Sequence, residues 1–97
     1  MEFRKGILFI RLKGDLNKDT IKWIIDKDFK YVVLNIDDMY SIDSYSIKYL
    51  NKIYKLYENN NNKFIICDKF NVSRKLLRDI PKINREYDAF ELFERMI

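Results

Sequence analysis

The stretch Tyr31–Leu50, YVVLNIDDMYSIDSYSIKYL, decides the fold, because it joins a buried strand to an amphipathic helix. Its first half is a nearly continuous apolar run rich in β-branched residues, which predicts a strand covered on both faces. We expect Asp37 and Asp38 to end that strand, since adjacent carboxylates are costly to bury. Asp43 and Ser44 then precede apolar residues spaced three and four apart, the spacing of one helix face.

Short apolar runs predict four other strands. They are Met1–Arg4, Ile7–Lys13, Lys63–Asp68 and Ile83–Tyr87. The first two are expected to pair as a hairpin around Lys5 and Gly6. Gly14 and Asp15 are expected to break the second strand, because this pair is typical of turns.

Three other helices are predicted from a polar first residue followed by an apolar face. The first is capped by Asn17 or Asp19 and carries Ile21, Trp23, Ile24 and Ile25. The second is capped by Asn71, has Val72, Leu76, Leu77 and Ile80 inside, and stops at Pro81. The third begins at Asp88, which with Glu91 resembles a capping box. Residues 1–97 are therefore expected to form one α/β domain, a mixed, mostly parallel sheet of about five strands with crossover helices and an N-terminal hairpin.

Composition excludes several classes of protein. The 97 residues suffice for one domain, and a hydrophobic fraction of 47% supplies its core. The chain has one cysteine and no histidine, which excludes an internal disulfide and argues against zinc sites and His-based triads. No apolar run is long enough to span a membrane and the start does not resemble a signal peptide, so we expect a cytoplasmic protein. The net charge of +4 comes from scattered lysine and arginine, which predicts a solvated surface and no nucleic-acid partner.

Two groups of residues suggest enzyme chemistry, and each has a simpler interpretation. Asp15, Asp37, Asp38 and Asp43 lie at predicted strand ends, where carboxylates can hold Mg²⁺, but aspartates there are also common turn formers and caps. Cys67 is a possible nucleophile, but without histidine it is better explained as a small core residue. The two glycines do not form a phosphate-binding loop. We therefore predict no enzymatic activity, no metal and no cofactor.

Three serines, Ser41, Ser44 and Ser46, surround Asp43 at the predicted start of the central helix. Capping and turn hydrogen bonds account for one or two of these hydroxyls. A phosphate on a remaining one would sit near a helix N-terminus, which favours negative charge, while repelling a docked partner. This pattern indicates a binding switch better than an active site.

The chain resembles the STAS domain of anti-sigma factor antagonists over nearly all its length. The segment Gly14–Asn17, GDLN, is similar to the Gly-Glu-Leu-Asp that follows an early strand in that family. Val33–Ile36 followed by Ser41–Ser44, SIDS, is similar to the family's strand and Asp-Ser-Ser-Gly segment. The later order of helix, strand, helix, strand and helix also matches.

The resemblance implies a bacterial regulator of transcription that binds an anti-sigma factor, itself a serine kinase, and so frees a sigma factor. The kinase phosphorylates the second serine of the Asp-Ser-Ser-Gly segment, and here Tyr45 stands at that position and Ser46 at the glycine. Ser44 and Ser46 are accordingly the candidate phosphoacceptors. The residues expected to contact the partner are Asp15, Asn17, Asp43, Ser44, Tyr45, Ser46, Lys48, Asn51 and Lys52. The alternative is a STAS scaffold without switching, or an accessory subunit of a transporter or sensor complex.

Overall fold

The computed structural model describes residues 1–21 and 29–96. Its strands are β1 (Glu2–Arg4), β2 (Ile7–Leu16), β3 (Tyr31–Ile42), β4 (Lys63–Cys67) and β5 (Lys82–Ile83). Its helices are α1 (Ser44–Asn59) and α2 (Asp88–Met96). The residues Trp23, Ile24 and Ile25 of the first predicted helix lie outside the described residues. Its beginning is described, and there Asn17 and Ile21 close a turn.

The five strands form one sheet in the order β1-β2-β3-β4-β5. β1 is antiparallel to β2, and every other pair is parallel, which confirms the predicted mixed, mostly parallel sheet with an N-terminal hairpin. Alternate residues of a strand point to opposite faces, and both faces of the central strands are apolar. On one face Leu34 and Phe64 belong to a core cluster with Leu50 and Ile53 of α1. On the other face Ile7, Phe9, Val33 and Ile65 cluster with Ala89 and Phe93 of α2.

β2 and β3 are longer than the sequence predicts. β3 continues through Asp37 and Asp38, and its pairing with β2 runs to Leu16 opposite Ile42, whereas its pairing with β4 stops at Asn35 opposite Cys67. We call the outer part, residues 13–16 and 37–42, the distal ribbon. The prediction that two carboxylates end the strand was wrong, because this outer half is paired on one side only and Asp38 reaches solvent.

Gly14 does not break β2 either. It lies within the strand with φ +89, a conformation that glycine adopts without strain, beside shifts in the pairing register of the distal ribbon. The glycine thus allows an irregularity where a turn was predicted.

The helix predicted at residues 71–80 does not form, and this segment is a series of turns. Asp68, rather than Asn71, accepts the first backbone N–H groups, those of Val72 at 3.0 Å and Ser73 at 2.8 Å. At the far end the Lys82 ammonium donates to the carbonyl oxygens of Leu77 and Ile80. These are end groups that a helix would also leave without an internal partner, so the contacts fix the two ends of the segment in place. Asn71, at φ 59, is left-handed where an N-cap is extended, so it does not cap a helix.

The apolar face predicted for that segment is only half buried. Leu77 and Ile80 are in the core, whereas Val72 is 55% exposed and Leu76 is 45% exposed. The following strand is also shorter than the predicted Ile83–Tyr87, because only Lys82 and Ile83 pair with β4. In the described parts of the chain, neither helix is both long and apolar enough to cross a membrane.

Candidate partner-binding site

The distal ribbon brings the Asp15 and Asp43 segments side by side. The Ser41 hydroxyl donates a 2.7 Å hydrogen bond to Asp15 Oδ1. Just beyond the end of β3, the Asp43 N–H donates to the carbonyl oxygen of Leu16 at 3.1 Å. Two segments that are 26 residues apart in sequence therefore form one polar surface, which we call the tip, made of Asp15, Ser41, Asp43, Ser44 and Tyr45.

Asp43 is the N-cap of α1, as the sequence predicts. Its backbone is extended, its Oδ1 accepts the N–H of Ser46 at 2.8 Å, and its carbonyl oxygen accepts the N–H of Ile47 at 3.0 Å. Hydrogen bonding from Ser46 lowers the pKa of the Asp43 carboxyl. The cap is consequently a fixed negative charge at the surface.

Asn17 stabilises the turn that follows Asp15 and so helps to position the tip. Its Oδ1 accepts the N–H groups of Asp19 at 3.0 Å and Thr20 at 3.2 Å. The Thr20 hydroxyl in turn donates to the carbonyl oxygen of Asp15 at 3.1 Å. Because the amide oxygen of Asn17 serves its own turn, this residue positions the Asp15 segment instead of offering that oxygen to a partner.

The two candidate phosphoacceptors differ in accessibility. Ser44 is the first residue of α1 and is exposed, whereas Ser46 is 0% exposed. Tyr45 is 45% exposed, and its ring lies 5.8 Å from that of Tyr49. A kinase could therefore reach Ser44 and Tyr45 on the folded protein, while access to Ser46 requires the first turn of α1 to open.

The outer face of α1 continues the tip with basic and aromatic side chains. Tyr45, Lys48, Tyr49 and Lys52 line a shallow cavity of about 260 Å³. Asn51, also expected to contact a partner, is half-buried, and its Nδ2 donates to the carbonyl oxygen of Ile47 at 3.0 Å. Lys48 and Lys52 remain exposed next to the tip.

The carboxylates considered for Mg²⁺ do not gather in one place. Asp37 Oδ1 accepts the N–H of Lys69 at 2.7 Å, while Asp15 accepts the Ser41 hydroxyl and Asp43 accepts the N–H of Ser46. Within residues 1–21 and 29–96, no group of three cysteine, aspartate or glutamate side chains is placed to hold a metal ion. Cys67 is buried in the sheet, and burial followed by the nearby Asp37 carboxylate raises the pKa of its thiol to about 12. A thiol of this kind is protonated at neutral pH and is a poor nucleophile.

The pairing of Ser41 with Asp15 is the feature of the site that sequence reasoning missed. Ser41 was recognised only as one of three nearby hydroxyls. The available signal was the predicted parallel alignment of β2 and β3, which places their carboxyl ends at the same edge of the sheet.

No protein-family model matches the sequence, and no curated protein matches it. Among solved structures, the anti-sigma factor antagonist SpoIIAA in its unphosphorylated form is similar in fold, with a TM-score of 0.78. The superposition covers 100% of this chain and 96% of the SpoIIAA chain, at 16% sequence identity. The chain therefore has the same fold as SpoIIAA, which is the fold that the sequence resemblance implies.

Proposed function

We propose that this protein is a non-enzymatic regulator of the bacterial cytoplasm, which binds an anti-sigma factor of the serine-kinase type and thereby releases a sigma factor. The fold supports this proposal, because SpoIIAA shares it over 96% of its own chain and all of this one. The observation that carries the proposal is the tip, where the hydrogen-bonded pair of Asp15 and Ser41 lies beside the capped start of α1.

The partner would contact the tip and the adjoining face of α1. Asp15 and Asp43 present carboxylates, Tyr45 presents a half-exposed ring, and Lys48 and Lys52 present cations. Aromatic side chains flanked by charges of both signs suit a specific protein contact. The paired strands and α1 hold these groups in place, so little conformational entropy is lost on binding.

Ser44 is the proposed phosphoacceptor. A phosphate there would add about −1.5 to −2 charges next to the Asp43 carboxylate, whose pKa is already lowered by Ser46. The N-terminus of α1 accommodates that charge, so the fold is retained. A partner surface complementary to the unmodified tip would instead be repelled.

The test replaces Ser44 with aspartate and measures binding to purified anti-sigma factor kinases of the source organism by calorimetry. We expect Ser44→Asp to weaken binding at least about tenfold, with an unchanged circular dichroism spectrum. Ser44→Ala should bind as the natural chain does. Asn84→Asp, at an exposed position beyond the end of β5, adds the same charge away from the tip and should have no effect.

Incubation with the bound kinase and MgATP should place phosphate on Ser44, detectable by mass spectrometry of the resulting peptides. Binding that Ser44→Asp leaves unchanged would refute the tip as the contact. Phosphate found on another residue while the tip still binds would refute the assignment of Ser44 alone.

A second candidate function is a STAS scaffold that binds a partner without switching, for example in a transporter or sensor complex. Tyr45 favours it, since this exposed aromatic stands where the family has its serine acceptor. This alternative predicts that Tyr45→Ala abolishes partner binding, while Ser44 stays unmodified after incubation with kinase and MgATP.

A further inference from the structure

The outer half of β3 has an open edge on the side away from β2. β4 pairs with β3 only as far as Asn35, but β3 continues to Ile42. In the described residues, the hydrogen bond from the Lys69 N–H to the Asp37 carboxylate joins this half to segment 69–80, and no backbone-to-backbone bond joins them. The Asp37 N–H is accepted by Asn35 Oδ1 at 2.9 Å, and the remaining N–H and C=O groups that point away from β2 are available to pair with an added strand.

A cavity of about 170 Å³ runs along this edge. One wall consists of four consecutive residues of β3, Met39–Ile42. Consecutive residues point to opposite faces of a strand, so a wall that includes all four is the strand edge itself. The opposite wall comes from the turns after β4 and consists of Val72, Ser73, Leu76 and Leu77.

The rim of this groove exposes apolar side chains. Tyr40 is 78% exposed, and Val72 and Leu76 also reach solvent. Segment 69–80 adds positive charge, because it carries Lys69, Arg74, Lys75 and Arg78, all exposed, against the one carboxylate of Asp79. Three carboxylates also lie near the groove: Asp37, which accepts the Lys69 N–H, the exposed Asp38, and the buried Asp68, which accepts N–H groups of the wall. The groove thus combines strand edge, apolar wall and a basic flank.

We propose that this groove binds an extended acidic peptide segment of a protein partner as an additional strand beside β3. The peptide backbone would pair with the open edge, which at roughly 3.3 Å per residue is about 20 Å long. Alternate apolar side chains would enter the cavity between Ile42 and Leu76, and carboxylates would face Arg74 and Lys75. The groove does not include Ser44, although its wall residue Ser41 also belongs to the tip, so it extends the proposed function on an adjoining surface and does not depend on phosphorylation of Ser44.

The binding test uses a fluorescently labelled peptide that alternates valine with glutamate and is as long as the edge. Fluorescence anisotropy should show saturable binding to the full chain. A peptide that alternates valine with lysine should bind at least about tenfold more weakly, because the flank is basic. A valine-glutamate peptide with N-methylated amides should also lose binding, because it cannot complete the main-chain hydrogen bonds.

Protein variants locate the site. We expect weaker binding of the acidic peptide, by at least about tenfold, in the double variant Arg74→Glu, Lys75→Glu and in the rim variant Leu76→Glu. Lys55→Glu, on the exposed face of α1, is the matched control and should not change binding. Thermal unfolding of each variant verifies that it is folded. Hydrogen exchange should show that the peptide protects those amides of residues 38–42 that point away from β2, and not those of β1.

Several results would overturn the proposal. Equal binding of the valine-lysine peptide would contradict the charge argument, and full binding of the N-methylated peptide would contradict strand addition. If the acidic peptide does not bind and the protein sediments as a dimer, the groove is occupied by a second copy of the chain. If the peptide does not bind and the protein adsorbs to phosphatidylserine vesicles, the groove binds a membrane surface. A loss of binding in Ser44→Asp alone would bear on the proposed function and leave this site intact.

Discussion

Glu86 is a single carboxylate that joins three parts of the chain. Its two oxygens accept hydrogen bonds from Arg11 of β2 at 2.8 and 2.6 Å, and Oε2 also accepts one from Asn35 of β3 at 2.7 Å. The Arg11 hydrogen bonds lower the pKa of the Glu86 carboxyl. The same contacts, together with Glu2, raise the pKa of Arg11. The α2 end of the chain is thereby fastened to the middle of the sheet.

Replacing this carboxylate should destabilise the fold at neutral pH. We expect Glu86→Gln to lower the free energy of unfolding by about 1 kcal/mol, a modest value because Arg11 is half exposed and solvent screens the pair. The folded pKa of Glu86 is below its ordinary value of 4.5, so the stabilisation is present above about pH 4.5 and is lost as the pH falls through the folded value.

Urea unfolding across a pH series tests this prediction. The difference in free energy of unfolding between the natural chain and Glu86→Gln should become smaller below about pH 4.5. Glu94→Gln, at an exposed position of α2, should behave as the natural chain at every pH. A difference that stays constant down to acidic pH would contradict the proposed ion pair.

Cys67 should be unreactive in the native protein. Its thiol is buried, so a reagent cannot reach it. The pKa of the thiol is raised to about 12, so almost none of it is the reactive thiolate at neutral pH. At pH 8 a disulfide reagent should modify Cys67 at least about a thousandfold more slowly than the urea-unfolded chain, since reaction awaits local opening. Absorbance of the released thiolate measures both rates, and equal rates would contradict the buried position.

At the scale of residues, the sequence predicted those roles that depend on near neighbours. Asp43 was recognised as the helix cap because its partner Ser46 is three residues away. Glu86 and Arg11 were not paired, because 75 residues separate them and each resembles an ordinary surface charge until the sheet brings them together. Ser41 and Asp15 were missed for the same reason.

The start of α1 depends on the Asp43 cap. We expect Asp43→Ala to lower the melting temperature by a few degrees, because the N–H of Ser46 loses its acceptor. Asp43→Asn keeps an oxygen in the same place and should retain most of the stability. The folded pKa of Asp43 is lowered. The stability that its charge contributes is therefore present above the unfolded pKa and is lost as the pH falls through the folded pKa.

Calorimetric melting of both variants at neutral and acidic pH distinguishes these effects. The asparagine variant should show less pH dependence than the natural chain, and the alanine variant should be the least stable at neutral pH. Equal melting temperatures for alanine and asparagine would show that the cap contributes nothing.

At the scale of elements, the existence of strands was easier to predict than their length. The apolar run from Tyr31 to Ile36 gave β3, but the remainder of that strand is held by pairing with β2, which local composition does not report. The segment 71–80 has helical spacing, but Asn71 is left-handed and does not cap a helix, and Asp68 and Lys82 hold the two ends of the segment as turns. Tertiary contacts thus overrode local preference in both cases.

The whole molecule depends on an apolar sheet with a core cluster on each face. Leu34 is fully buried in β3, between β2 and β4. We expect Leu34→Ala to lower the free energy of unfolding by about 3–4 kcal/mol, from lost transfer energy and the cavity left behind. For a domain of this size that is a large part of the total stability.

Leu56→Ala is the matched control, because Leu56 lies on the exposed side of α1. It should change stability by less than about 0.5 kcal/mol. Urea unfolding followed by circular dichroism measures both variants. Similar losses at the two positions would contradict the assignment of the core.

At this scale the sequence predicted the class of fold but not the order of the strands in the sheet. Alternating strands and helices indicated a parallel sheet, and the pair of short N-terminal runs indicated a hairpin. The order in which strands neighbour each other depends on where each connection crosses, which periodicity in the sequence does not record. The extension of β2 and β3 beyond β4 follows from that arrangement, and so could not be foreseen.

The division of β3 has an evolutionary consequence. Its first half, up to Ile36, is enclosed by neighbours and is apolar except for Asn35, whereas its second half pairs with one neighbour and carries mostly polar or half-exposed side chains. Substitutions in the second half therefore carry a small folding penalty. Descendants of such a chain are free to diversify their recognition of partners while inheriting the same scaffold unchanged.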